Sequence, residues 1–282
     1  MLGEAVVRAA QSSGHDAVAC TRADVDVTDA HAIRSAIAYA APGAIVNCAA
    51  YTDVDGAESD EGAALAVNGA GVGNVARAAA HAGARVVHVS TDYVFDGEGQ
   101  RPYVESDEPA PRSAYGRSKL AGEREVLTAS PGHVVVRTAW LFGSGGRNFV
   151  DTMLALSADR ESVEVVTDQV GCPTWSGHLA PALVELAVRE GAGGLHHVAG
   201  AGACSWHDLA VELFAQAGVA CRVLPTDSSR MSRPAPRPAY SVLVSERADA
   251  VRLPPWQQGV AGHLAQRGLT GALQPVDSGS AS

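Results

Sequence analysis

Arg85-Val86-Val87-His88-Val89-Ser90-Thr91-Asp92-Tyr93-Val94-Phe95-Asp96-Gly97 begins as an apolar run of strand length and ends in a polar turn. Beyond a loop to residue 112, Ser113-Ala114-Tyr115-Gly116-Arg117-Ser118-Lys119 opens a run with helical periodicity that reaches Leu127. Strand, turn and helix in this order recur on both sides. Upstream, residues 17–20 and Ala44-Ile45-Val46 have strand character, while residues 2–10, 29–39 (behind a Thr28 N-cap) and 63–82 have helical spacing. Downstream, residues 133–137 form another apolar strand. Short buried strands separated by helices predict an α/β fold: a doubly wound parallel sheet covered on both faces, Rossmann-like.

After Trp140 the alternation loosens, with helical stretches at 149–157, 178–189 and 206–217 and a Pro-rich run, Arg233-Pro234-Ala235-Pro236-Arg237-Pro238. The division that follows is a dinucleotide-binding core over residues 1–139, a smaller C-terminal substrate lobe over 140–274, and a frayed tail over 275–282.

Of 282 residues, 46% are hydrophobic and 18% charged, with 30 glycines and 14 prolines spread along the chain, which is a globular composition. Aromatic residues are only 5%, so the core is built mainly from Ala, Val and Leu. The formal net charge of −10 argues against nucleic acid as a partner, because phosphate binding wants a concentrated basic face. Five cysteines, an odd number with no C-x-x-C pair, read as reduced thiols of a cytoplasmic protein. The longest informative uncharged stretch, residues 35–52, is broken by Pro42-Gly43 and Asn47, so neither a membrane span nor a signal peptide is expected.

Tyr115 and Lys119, four apart on the expected helix, share one face. A free phenol has a pKa near ~10, and a lysine cation one turn away favours its charged form. A hydroxyl from Thr91, at the carboxyl end of a strand where open α/β sheets bind ligands, completes a site that holds a carbonyl oxygen and passes it a proton.

These residues, with Asn47-Cys48-Ala49-Ala50-Tyr51-Thr52-Asp53-Val54-Asp55, Arg137-Thr138-Ala139-Trp140-Leu141-Phe142-Gly143, Asp168-Gln169-Val170-Gly171-Cys172-Pro173-Thr174, Ser205-Trp206 and Arg237-Pro238-Ala239-Tyr240-Ser241, resemble the extended, nucleotide-sugar branch of the short-chain dehydrogenase/reductase superfamily. The resemblance is closest to the dTDP-4-dehydrorhamnose reductase family and runs from Leu2 to about Leu264. It implies that Tyr115 protonates the reduced C4 oxygen of a dTDP-sugar, that Lys119 supports it and holds the nicotinamide ribose, and that Thr91 hydrogen-bonds the substrate carbonyl. It also implies that Tyr93 and Trp140 line the sugar pocket and that Arg237 meets the diphosphate. On the cofactor side it points to Asp26 and Val27 for the adenine loop and to Ala49, Ala50 and Tyr51 along the strand end. Related dehydratases carry Thr-Asp-Glu where this chain has Thr91-Asp92-Tyr93, which favours ketone reduction over elimination. Three outcomes stay open: rhamnose formation, a related 4-ketoreductase of secondary metabolism making a dihydrostreptose-type product, and a non-catalytic cofactor-binding subunit. A homodimer is compatible with each.

The expected strand at 17–20 is followed by Thr21-Arg22 rather than by an acidic residue, so a 2′-phosphate and NADPH are favoured, with NADH as the lesser cofactor. A dinucleotide fold opens with a strand and a Gly-rich turn, whereas this sequence opens at Met1-Leu2-Gly3, leaving only Gly3 to match that turn. The expectation is that Met1 is an internal methionine, and that a missing first strand would lie between residues 17–20 and 85–89. The 282-residue form is then expected to be poorly soluble or to bind NADPH weakly, until about 10–15 upstream residues are restored.

Other features have ordinary readings. The acidic residues 53–61 suit a helix start, His196-His197 suits packing rather than zinc (no metal site is expected), and the Arg/Pro run suits a loop over the site.

Overall fold

A computed structural model describes residues 1–269, so the expected tail at 275–282 lies outside the described residues. Four parallel strands form the main sheet in the order Ala44–Asn47, Arg85–Thr91, Val134–Thr138, Gly194–His197. Alternation along each strand sends side chains to opposite faces. Val87, Val134 and Val136 pack against the helices Leu2–Ser12 and Ser176–Val188, while Val86 and Val135 face the layer containing Val72–His81 and Ala114–Ala129. With both faces covered, the strands are largely apolar where they cross the core, and the edge strand Gly194–His197 instead buries two histidines.

A second apolar cluster, including Val150, Val163, Leu209, Leu213, Trp256 and Leu264, lies among the helices Phe149–Ser157, Trp206–Ala217 and Trp256–Gln266. It also takes in a parallel pair, Ser162–Val166 with Arg222–Thr226, which periodicity did not reveal. Among the described residues, no helix is long and apolar enough to cross a membrane.

Three local expectations are corrected. Residues 17–20 form no strand; they are largely exposed, with Val18 at 71%, because among the described residues no neighbouring strand accepts their backbone groups. The edge of Arg85–Thr91 that was assigned to a missing first strand is paired instead with Ala44–Asn47, in the register Ala44↔Arg85 to Asn47↔His88. Asp29 rather than Thr28 caps the helix Ala30–Ala40, because its carboxylate reaches the backbone N–H groups of His31 and Ala32.

The expected helix over 63–82 is interrupted. Glu61–Leu65 and Val72–His81 are joined by a π-helical turn, Ala66–Gly71, which turns Asn68 inward to full burial.

Candidate active site

The carboxyl ends of three adjacent strands converge on one edge of the sheet, where Asn47 follows Val46 and Thr91 is in register with Thr138. Thr91 ends its strand and caps a single 3₁₀ turn, Asp92–Val94, accepting the Tyr93 N–H at 3.2 Å. Ser113 caps the helix Ala114–Ala129 by accepting the Gly116 N–H at 3.0 Å, and Glu58 accepts the Ala114 N–H at 2.8 Å. Gly116 permits the close approach of this helix, since a Cβ there would run into the carbonyl oxygen of Tyr93. The first turn of the helix therefore sets Tyr115 beside the Thr91 turn, with the Tyr93 and Tyr115 rings edge to face at 5.6 Å.

The electrostatics differ from the expectation for Tyr115. Its phenol is pushed up to about 12, by burial first and by the nearby Asp92 charge second, with the Thr91 hydroxyl acting the other way. Lys119 donates to the Val89 carbonyl at 2.7 Å and lies 3.4 Å from His88 Nε2, and burial pulls its pKa down to about 8. Asn47 lies on the other side of the His88 ring, with its amide nitrogen 3.2 Å from Nδ1 and its carbonyl accepting the Ala49 N–H.

One turn after Lys119, buried Glu123 accepts two bonds from Arg137, at 2.9 and 2.7 Å, and one from Ser90 at 2.5 Å. Arg137 also lies over the Phe95 ring, 4.9 Å from its centroid. This buried pair ties the helix to two strands of the sheet.

The residues expected on the cofactor side are held by local contacts. Asn68 holds Tyr51 through both backbone groups, accepting its N–H at 2.8 Å and donating to its carbonyl at 3.0 Å, which fixes the turn after Ala49 and Ala50. Gly3, early in the Leu2–Ser12 helix, lies beside Cys48. Asn74 donates to the Val27 carbonyl, and Asp26 binds both the N–H and the hydroxyl of Thr28. The Arg22 side chain is 86% exposed, with one 3.3 Å contact to Asp26. The small residues Ala49 and Ala50 after the strand, the exposed Arg22 guanidinium and the buried Lys119 ammonium are groups of the kind that bind a dinucleotide with an extra phosphate.

The residues expected on the substrate side come from far along the chain. Tyr240 N–H bonds to the Gly97 carbonyl and Tyr103 N–H to that of Val242, so residues 240–243 run along 97–103. This brings the Arg/Pro loop over a cleft of about 110 Å³ lined by Tyr93, Phe95, Arg112, Pro236, Arg237 and Pro238. Arg237 is held by Asp55 at 2.9 Å, and Asp55 also takes Arg233 at 3.4 Å and the Ala235 N–H at 3.2 Å. Trp140, at φ +47°, stacks on Trp206 with centroids 3.5 Å apart and planes 2° apart.

Sequence reasoning passed over Asn68, Asp55 and Trp206 as site residues. Asn68 was hidden because the π turn that buries it has no sequence period of its own. Asp55 looked like an ordinary helix-start acid. Trp206 stood among the quoted motifs, yet only its stacking partner was named.

The family model for the RmlD substrate binding domain matches residues 1–268. A dTDP-4-dehydrorhamnose reductase of Streptomyces griseus is 45% identical over 261 residues, covering 90% of this chain and 86% of the relative. A dTDP-4-keto-6-deoxy-D-glucose reductase of Streptomyces niveus is 45% identical over 245 residues, covering 86% and 85%. The crystal structure of a Bacillus anthracis dTDP-4-dehydrorhamnose reductase in complex with NADP superposes with a TM-score of 0.90 at 34% identity, covering 94% of this chain and 95% of that one. On this combined ground of family model, sequence and fold, the chain belongs to the dTDP-4-dehydrorhamnose reductase family.

Proposed function

We propose that this chain is an NADPH-dependent oxidoreductase that reduces the C4 ketone of a dTDP-4-keto-6-deoxy sugar, with dTDP-4-dehydrorhamnose as substrate and dTDP-L-rhamnose as product. The observation that carries the reading is the juxtaposition of Thr91, Tyr115 and Lys119 at the carboxyl edge of the parallel sheet. The Streptomyces niveus relative supports a 4-keto-6-deoxyglucose as a second substrate.

NADPH supplies the hydride when bound. Gly3, Asp26, Val27, Ala49, Ala50 and Tyr51 would lie along it, Arg22 would meet its 2′-phosphate, and Lys119 would give its third N–H to the nicotinamide ribose. The high pKa of Tyr115 keeps the phenol protonated at neutral pH, as a proton donor must be. A developing C4 alkoxide is a stronger base than a phenolate, so the proton still passes to it. Thr91 would hold that oxygen in line, Tyr93 and Trp140 would shield the sugar from water, and Arg237, positioned by Asp55, would meet the diphosphate.

In this reading residues 1–139 hold chiefly the cofactor and those from 140 onward chiefly the sugar nucleotide. The five free thiols and the net charge of −10 support a cytoplasmic enzyme whose partners are small molecules. Following NADPH oxidation with dTDP-4-keto sugars tests the proposal. Tyr115→Phe should lose roughly 10²–10⁴-fold in turnover with the fold intact. Retention of more than about a tenth of the activity would remove Tyr115 from the mechanism.

A further inference from the structure

Thr91 has one hydroxyl proton. In the structure that proton goes to Asp92 Oδ1 at 2.9 Å, while the Thr91 oxygen accepts the Tyr93 N–H. A hydroxyl committed in this way has nothing to donate to a substrate carbonyl. Asp92 itself is 2% exposed, and among the described residues its Oδ2 has no hydrogen-bond partner. A bare carboxylate oxygen at that depth is costly, and a protonated carboxyl relieves the cost.

We propose that Asp92 is a positioning residue that works as a neutral carboxylic acid: its O–H donates to Thr91 Oγ1, and this turns the Thr91 proton outward to the C4 oxygen of the substrate. Ionisation reverses the bond, draws the Thr91 hydroxyl back to the carboxylate, and places a negative charge beside the oxygen on which negative charge must develop. The proposal rests on the reading that Thr91 meets the C4 oxygen and assigns a task to the residue next to it.

The surroundings suit a proton on Asp92. Among the described residues, the titratable groups that face it are Tyr115 from the Ala114–Ala129 helix, Cys172 just after the strand at 170–171 and Tyr93 from the same turn, and none of them is a cation. The Ser241 hydroxyl, from the segment that runs along 97–103, is also nearby. Burial pushes the Asp92 carboxyl up to about 6, against the opposing influence of the nearby Ser241 and Thr91 hydroxyls and the backbone. A bound sugar excludes further water and moves it higher.

The test compares wild type, Asp92→Asn, Asp92→Ala and Thr91→Val in the full chain, by kcat and kcat/KM from about pH 5 to about pH 8.5. The wild-type kcat/KM should fall about tenfold as pH rises through about 6, with the kcat limb displaced upward. Asn keeps a donor toward Thr91 Oγ1 and cannot ionise, so Asp92→Asn should stay within about threefold of the low-pH wild-type rate and lose the limb. Asp92→Ala should fall about tenfold at every pH. The proposal alone is overturned if Thr91→Val is impaired while Asp92→Asn keeps the wild-type limb or loses as much as Asp92→Ala. An unimpaired Thr91→Val overturns the underlying reading and the proposal together. Difference infrared spectra of wild type against Asp92→Asn read the proton without turnover. A carboxylic C=O band present at low pH in wild type and absent from the variant supports the proposal, and no such band at about pH 5 overturns it.

Discussion

Replacing Arg137 with Met removes one half of an ion pair whose side chains are 3% and 2% exposed. Glu123 would keep only the Ser90 hydroxyl out of three bonds, leaving a carboxylate in the interior without a counter-charge. Breaking a buried pair from one side costs about 3–5 kcal/mol, against about 0.2–1 kcal/mol for an exposed pair. The unfolding entropy of a chain this size is about 0.6 kcal/mol/K, so the expected fall in melting temperature is roughly 5–8 °C. Because the pair ties the helix of Tyr115 and Lys119 to the sheet, turnover should fall as well. The companion variant Glu123→Gln/Arg137→Met keeps an acceptor for Ser90 and buries no charge, so it should recover at least about half of the lost stability. Thermal unfolding followed by circular dichroism measures both. A shift below about 2 °C for the single variant, or a double variant no better than the single, would refute the view that desolvated charge dominates here.

Arg22→Ala should weaken NADPH about tenfold and leave NADH within about twofold, measured by fluorescence titration; equal losses would show that Arg22 does not read the phosphate. Asp55→Asn should raise KM for the sugar nucleotide about five- to tenfold with kcat nearly kept, because it unfastens the loop that carries Arg237; an unchanged KM would make the contact idle. Lys119 has a folded pKa of about 8, below its ordinary 10.5, so between those values the unfolded chain binds more protons and stability rises with pH. Lys119→Met should therefore melt above wild type at pH 7, with the difference narrowing from about pH 8 toward about pH 10; a constant difference would mean that the buried ammonium is not the cause.

The chemistry-bearing residues were legible in the sequence wherever a local rule places them. Thr91 ends an apolar strand, and Tyr115 and Lys119 share a helix face at four-residue spacing. In each case neighbours in sequence are neighbours in space. The strand assigned to residues 17–20 failed for the complementary reason. Apolar character says that a segment can pair, and only the presence of a neighbouring strand makes it do so.

Everything joined across the chain was decided by tertiary structure. Asp55 meets Arg237 across 182 positions, Asn68 reaches back to Tyr51, Arg137 neutralises Glu123, and Trp140 stacks on Trp206. None of these pairs has a spacing that a helix or strand period encodes, because each is set by which strands lie side by side and how closely the helices approach them. The direction of the Thr91 hydroxyl belongs with these pairs. The sequence alone puts an alcohol and an acid side by side at positions 91 and 92, but only burial of that acid, with an oxygen left unpartnered, decides which of them holds the proton.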